Sequence, residues 1–130
     1  MSALPEMEIS AAHALMRLQA TQAFADSGPG ASTVKLYDAA SQLLATLTLT
    51  RPCGTITEAG SLQLTQAQAG EMILASGAAV LGVWSTSDGR LVGQGEVTDE
   101  TGSGAFRLLG ASGTQLYAGG LAILGETLIY

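Results

Sequence analysis

The sequence has few of the residues from which catalytic and metal sites are built. It contains one Cys and one His, and only 12% of its residues are charged, about half the usual share. The lone Cys53 excludes an internal disulfide, and one His with one Cys is too few for a zinc site. Any His-dependent catalysis would rest on His13, which we expect to be solvated instead. We therefore expect no enzyme activity, no metal site and no cofactor.

The charge that is present is acidic and spread out. The formal net charge is −6 and the five basic residues form no run, which argues against a nucleic-acid partner because phosphate binding needs a cationic surface. The longest apolar stretch, residues 72–84, is too short for a membrane helix. No basic cluster precedes an apolar run near the N-terminus, so we expect neither a secretory signal nor a membrane partner.

A surface so poor in charge must consist largely of Ser, Thr, Gln, Ala and Gly. A surface with so few charges gives little electrostatic repulsion between molecules. We therefore expect this chain to pack against other chains, including further copies of itself as a homo-oligomer.

The N-terminal region predicts one helix, over residues 5–25. Pro5 suits a first helical turn, and the first glycine of the chain is Gly28, within the helix-breaking sequence DSGPG. Apolar residues recur at a spacing of three to four and form one stripe: Ala12, Leu15, Met16, Ala20, Ala23 and Phe24. We assign residues 1–27 to an N-terminal helical arm, with Leu15, Met16, Arg17 and Phe24 as candidate partner-binding residues.

From residue 33 onward the pattern changes to the alternation that is typical of β-strands. Residues 33–38 and 43–50 are strand-like, and we expect the sequence RPCG, residues 51–54, to end the second strand. Residues 66–77 fit helix or strand, with strand from Met72 favoured. Seven or eight short strands separated by turn signals predict a mainly β domain over residues 31–130, an antiparallel β-sandwich or barrel that is jelly-roll-like.

The sequence STSDGRLVGQGEV, residues 85–97, is either a ligand-binding loop or a hairpin. Asp88-Gly89 favours a two-residue type I′ turn. That turn would pair Trp84 with Gly93, and Gly82 with Gly95, on one face. We expect the indole to fill the space that Gly93 leaves free. Calcium ligands at the required spacing are missing, so the hairpin is favoured.

Several short motifs together resemble those of small β-rich proteins of tailed bacteriophages and prophages. Those proteins have an N-terminal helix, a Gly-rich break, a first strand with a basic residue and a tyrosine, and a tryptophan strand leading to a hairpin. They are commonly encoded beside virion structural genes. The residues that carry the resemblance are Gly28-Pro29-Gly30, Lys35-Leu36-Tyr37, Trp84, Ser87-Asp88-Gly89 and Ala118-Gly119-Gly120.

The resemblance implies a non-enzymatic virion structural protein, assembled in the host cytoplasm. The most specific role that the resemblance implies is that of a capsid-associated cement or decoration subunit, which joins neighbouring major capsid protein subunits. Two alternatives stay open: a head-completion or tail subunit, and a carbohydrate- or receptor-binding β-sandwich. The last would need an exposed aromatic platform, and aromatic residues are only 5% of the chain.

Overall fold

The computed structural model describes residues 7, 9–110 and 113–130, which form one α-helix and eleven β-strands. The helix is α1 (Ala11–Ala25). The strands are β1 (Thr33–Tyr37), β2 (Leu43–Ile56), β3 (Leu62–Gln66), β4 (Glu71–Met72), β5 (Gly77–Ala78), β6 (Leu81–Ser85), β7 (Leu91–Asp99), β8 (Phe106–Leu109), β9 (Gln115–Leu116), β10 (Leu121–Leu124) and β11 (Leu128–Ile129).

Nine of the strands form one sheet that curls into a half-barrel. Its strand order is β11-β3-β2-β1-β6-β7-β8-β10-β4, and β5 pairs separately with β9. Every pairing is antiparallel except that of β7 with β8. The mainly β fold of the sandwich or barrel class, with one helix before it, is thus confirmed.

Side chains connect strands that are far apart in the sheet order. Gln66, at the end of β3, accepts a hydrogen bond from the Leu124 N–H of β10 at 2.8 Å and donates one to the Ala122 carbonyl at 3.2 Å. Glu71 of β4 accepts hydrogen bonds from the backbone N–H and the hydroxyl of Thr48 in β2. These two side chains therefore hold the two ends of the curled sheet near each other.

The core is rich in leucine. In β2 the apolar residues Ala45, Leu47 and Leu49 are fully buried, whereas the threonines between them are half-buried. This is the expected alternation of a strand with one covered face. Leu18 and Ala25 of α1 belong to the same core cluster, so the helix and the strands share one core.

β2 continues through the sequence that we expected to end it. After an irregularity between Leu49 and Gly54, residues Gly54, Thr55 and Ile56 pair with β3. Residues 50–53 form the bulge, in which Thr50 donates its hydroxyl to the Pro52 carbonyl at 2.8 Å. The strand survives because a bulge accommodates a residue that cannot donate to the ladder.

The helix begins later than the sequence suggested. Its N-cap is Ser10, whose hydroxyl accepts a hydrogen bond from the His13 N–H at 3.1 Å. Met7 and Ile9 are not helical, while Pro5, Glu6 and Glu8 lie outside the described residues. The serine cap, which satisfies a free N–H of the first turn, sets the start.

The hairpin of β6 and β7 is present, but its turn differs from the expected type. The Gly89 N–H bonds to the Thr86 carbonyl and the Thr86 N–H bonds to the Arg90 carbonyl. Gly89 has a φ of +91°, whereas Asp88 has no positive φ. This is a three-residue turn with a left-handed glycine, and an irregularity between Trp84 and Ser85 restores the expected pairing of Trp84 with Gly93.

The packing around the paired glycines also differs from the expectation. A Cβ built on Gly82 would lie 2.5 Å from the ring of Phe106, and one on Gly95 would lie 2.6 Å from the Cβ of Ala105. A Cβ on Gly93 would meet no atom within 4 Å. The expectation that the indole of Trp84 fills this space is therefore wrong: the position opposite Trp84 is open.

Candidate docking surface on the N-terminal helix

Helix α1 is apolar on two faces, and only one of them is covered. Leu18 and Ala25 are buried against the sheet. The opposite face, which we call the outer face, is exposed and uncharged; it consists of Ala12, Met16, Ala20 and Ala23. Most helices of folded proteins have one apolar face, which is buried, and a polar face toward solvent; a second, exposed apolar face has the composition of an interface.

The four candidate partner-binding residues are exposed but do not lie together. Met16, which is 67% exposed, is at the centre of the outer face. Leu15, which is 42% exposed, borders a groove of about 410 Å³ between α1 and the turn that joins β2 to β3. Arg17 and Phe24, two turns apart, lie on the opposite border of the outer face. Met16 thus lies at the centre of the outer face, and Leu15, Arg17 and Phe24 lie on its two sides.

The C-terminal end of α1 is fixed to the bulge of β2. The guanidinium of Arg51 donates three hydrogen bonds to backbone carbonyls after the helix: to Asp26 at 3.0 Å, Gly28 at 2.8 Å and Pro29 at 3.0 Å. The Asp26 carboxylate accepts the Cys53 N–H at 3.1 Å, and Gln22 donates to the Gly54 carbonyl at 2.7 Å. These five hydrogen bonds fix the end of α1 and the segment that follows it to the bulge of β2.

The same helix end is also tied to the turn of the hairpin. The Arg90 guanidinium lies 5.2 Å from the centroid of the Phe24 ring, a cation–π distance. Arg90 also donates to the Ser27 hydroxyl at 2.7 Å, and the Gly30 N–H donates to the Ser87 hydroxyl at 2.9 Å. The C-terminal end of α1 is thus bound both to the β2 bulge and to the hairpin turn, so the outer face has a fixed orientation.

The side chain of Asp88 stabilises this turn. Its carboxylate accepts a hydrogen bond from the Thr86 hydroxyl, and this bond, with the nearby charge of Arg90, lowers the pKa of Asp88 below its ordinary value. The turn that the resemblance singled out as Ser87-Asp88-Gly89 therefore acts as a structural support for the helix end. It is not arranged as a calcium loop, since its one carboxylate bonds within the turn.

The two residues that could carry reactive chemistry, His13 and Cys53, lie on different elements of the fold. His13 is exposed on α1, and Cys53 is buried in β2. Burial, together with the Asp26 carboxylate, raises the pKa of the Cys53 thiol to about 12, so the reactive thiolate is not formed near neutral pH. Within residues 7, 9–110 and 113–130, no three His, Cys, Asp or Glu side chains are grouped to hold a metal ion.

The described aromatic residues do not form a platform around the tryptophan. Trp84 is 3% exposed, and its indole N–H donates to the buried Ser32 hydroxyl at 3.1 Å. The exposed aromatic residues among those described are Phe24, Tyr117 and Tyr130, which belong to other parts of the chain. Trp84 therefore acts in the core rather than on an open binding surface.

Comparison of the chain with protein-family models, curated proteins and solved structures finds no match. In the described part of the chain, no helix is both long enough and apolar enough to span a bilayer.

Two features of this surface were missed by sequence reasoning. The first is the identity of the covered face of α1, which is the one with Leu18 and Ala25. Because α1 has apolar residues on two faces, its sequence does not show which of the two packs against the sheet. The anchoring by Arg51 and Arg90 depends on contacts between residues 22 or more positions apart. No local sequence pattern marks such contacts.

Proposed function

We propose that this protein is a non-enzymatic structural subunit of a bacteriophage virion. In its most specific form it is a cement or decoration subunit that joins neighbouring major capsid protein subunits. The resemblance of its motifs to those of small phage proteins supports the proposal. The observation that carries it is the exposed apolar outer face of α1, held in place by Arg51 and Arg90.

The outer face has the properties of a docking surface. Met16 exposes two-thirds of its surface at the centre of a face made otherwise of alanine, and small side chains allow a partner to approach the helix backbone closely. A contiguous exposed apolar patch, unlike a single exposed apolar side chain, commonly marks an interaction site. Since the helix end is fixed before binding, little conformational entropy is lost when a partner docks.

Charge restricts the chemistry of the partner surface. The chain has a formal net charge of −6, so most of its surface repels an acidic partner. The outer face has no charged residue, and its border contains His13 and Arg17. We therefore expect the capsid surface to offer an apolar centre, with acidic groups accepted beside Arg17.

Mass spectrometry of purified particles from the phage or induced prophage that encodes this chain tests the proposal. A cement subunit should be present in a number of copies comparable to that of the major capsid protein. Six or twelve copies would identify a head-completion or tail subunit instead, and absence from washed particles would overturn the virion assignment.

A further inference from the structure

Basic side chains are scarce in this chain, and three of the five lie at α1. Arg17 is part of the helix, whereas Arg51 and Arg90 bond to residues at and just after its C-terminal end. The carboxylates that contact these groups are Asp26, which bonds to the β2 bulge, and Asp88, which pairs with Arg90. In a chain whose formal net charge is −6, α1 is therefore bordered by a locally positive region.

Two of these arginines lie on the same side of the outer face. Arg17 and Phe24 are separated by nearly two helical turns, which places them on one side, and the Arg90 guanidinium lies 5.2 Å from the centroid of the Phe24 ring. We call this side, which consists of Arg17, Phe24 and Arg90, the basic side. The opposite side is that of Leu15, where the exposed Glu58 lines the adjacent groove. The outer face thus has positive charge along one side and a negative charge on the other.

The charge of Arg17 is not used within the fold. Arg17 is exposed, and among the residues that the structure describes, none forms an ion pair or a hydrogen bond with its guanidinium. Arg90 pairs with Asp88 at 3.4 Å, but half of its side chain is exposed, and Phe24 is 41% exposed. Anchoring of the helix explains Arg90, but it does not explain Arg17. A partner on the outer face therefore meets a positive charge that the fold leaves available.

We propose that the capsid protein docks on α1 with an acidic segment, which lies along the basic side. The inference rests on the proposed function, since it assigns the chemistry of the partner at the same face. Most of this acidic protein repels such a segment, and the basic side attracts it, so the charges also fix the orientation of docking. Arg17 and Phe24 are about 10 Å apart along the helix axis. We expect the segment to carry two carboxylates at about that separation.

Charge reversal at Arg17 tests the proposal, with Lys35 as the matched control. Arg17→Glu and Lys35→Glu change the net charge equally, but Lys35 lies in β1. Each variant is co-sedimented with capsids that lack this subunit, and its melting temperature is compared with that of the wild type to check folding. We expect Arg17→Glu to bind about tenfold more weakly than the wild type, because a repulsion replaces an attraction at the interface. Lys35→Glu should bind as the wild type does.

Two variants that only remove a charge separate the two sides of the outer face. Arg17→Gln should weaken binding by about threefold, and its binding should depend less on salt than that of the wild type. This variant also provides the test if the glutamate variant does not fold. Glu58→Gln removes a charge from the other side and should not weaken binding.

The outcomes distinguish the inference from the proposed function. Equal binding of Arg17→Glu and Lys35→Glu to capsids that bind the wild type would overturn docking by an acidic segment and leave the virion role intact. Capsids that do not bind the wild type would overturn the proposed function, and the inference with it.

Discussion

Three glycines of the β6–β7 hairpin occupy positions with different requirements. Gly89 has a positive φ, which a residue with a side chain adopts at a cost. Gly82 has an ordinary φ but lies against the ring of Phe106, and Gly93 faces open space. The sequence marks Gly89 as a turn residue, but it makes Gly82 and Gly93 look equivalent, because what distinguishes these two is the ring of Phe106, which is distant in the chain.

The contrast between Gly82 and Gly93 gives a stability prediction. Gly82→Ala places a methyl group against Phe106, and overpacking of this kind costs about 1–3 kcal/mol. The methyl group added by Gly93→Ala contacts no other atom, and the substitution replaces a flexible residue in a strand. The free energy of unfolding of this variant should therefore be equal to that of the wild type or slightly higher. Urea unfolding of the two variants provides the measurement. Equal midpoints for both would show that Phe106 does not pack as described.

Cys53 is a buried thiol whose ionisation is opposed by its surroundings. Its pKa is raised from 9.0 to about 12, chiefly by burial and then by the Asp26 carboxylate. The unfolded chain releases the thiol proton at lower pH than the folded chain does. The contribution of the protonated thiol to the free energy of unfolding is therefore fully present below pH 9 and is lost as the pH rises toward 12.

This linkage is measured with Cys53→Ser as the comparison. The wild-type protein should lose stability relative to the serine variant as the pH rises above 9, because the hydroxyl of serine does not ionise in this range. The native thiol should also react slowly with a thiol reagent at neutral pH and rapidly after unfolding. A rapid reaction of the native protein would contradict the burial of the thiol.

At the scale of elements, α1 depends on the β2 bulge for its position. Residues 51–54 look like a strand terminator in the sequence, since proline cannot donate to a ladder. In the fold they provide Arg51, whose guanidinium bonds to three carbonyls after the helix. The sequence predicted the helix and the glycine-rich break, but it could not reveal the residue that connects them to the sheet.

Removal of Arg51 should loosen α1 without unfolding the sheet. Arg51→Ala removes three hydrogen bonds, and because the side chain is exposed to solvent we expect a cost of only about 1–2 kcal/mol. Hydrogen exchange should become faster at the C-terminal end of α1 than in β6 or β1. Arg17→Ala, an exposed arginine on the same helix, is the control. Equal exchange in both variants would mean that Arg51 does not hold the helix.

At the scale of the whole molecule, the alternation of apolar and polar residues was enough to predict a mainly β fold of the sandwich or barrel class with a helix before it. The pattern could not predict the strand order, which brings β7 beside β8 in parallel and β10 beside β4. That order depends on long-range contacts such as those of Gln66 with β10. The candidate docking residues were also only partly predictable, since Leu15 and Met16 are neighbours in the sequence but border different surfaces.

The central claim is that the outer face of α1 docks onto a capsid. The chain offers a matched pair of residues for its test: Met16 is 67% exposed at the centre of this face, and Met72 is 64% exposed in β4. Each is replaced by glutamate, which adds the same charge at nearly the same exposure. A new charge on an apolar interface opposes binding, whereas the same charge on a free surface changes it little.

The measurement that we would make first is co-sedimentation of the wild-type protein, Met16→Glu and Met72→Glu with capsids that lack this subunit. The wild type and Met72→Glu should saturate the capsids at high copy number, and Met16→Glu should bind at least tenfold more weakly. Equal binding of the wild type and Met16→Glu would contradict docking through α1. A wild-type protein that stays in the supernatant would contradict the virion role itself.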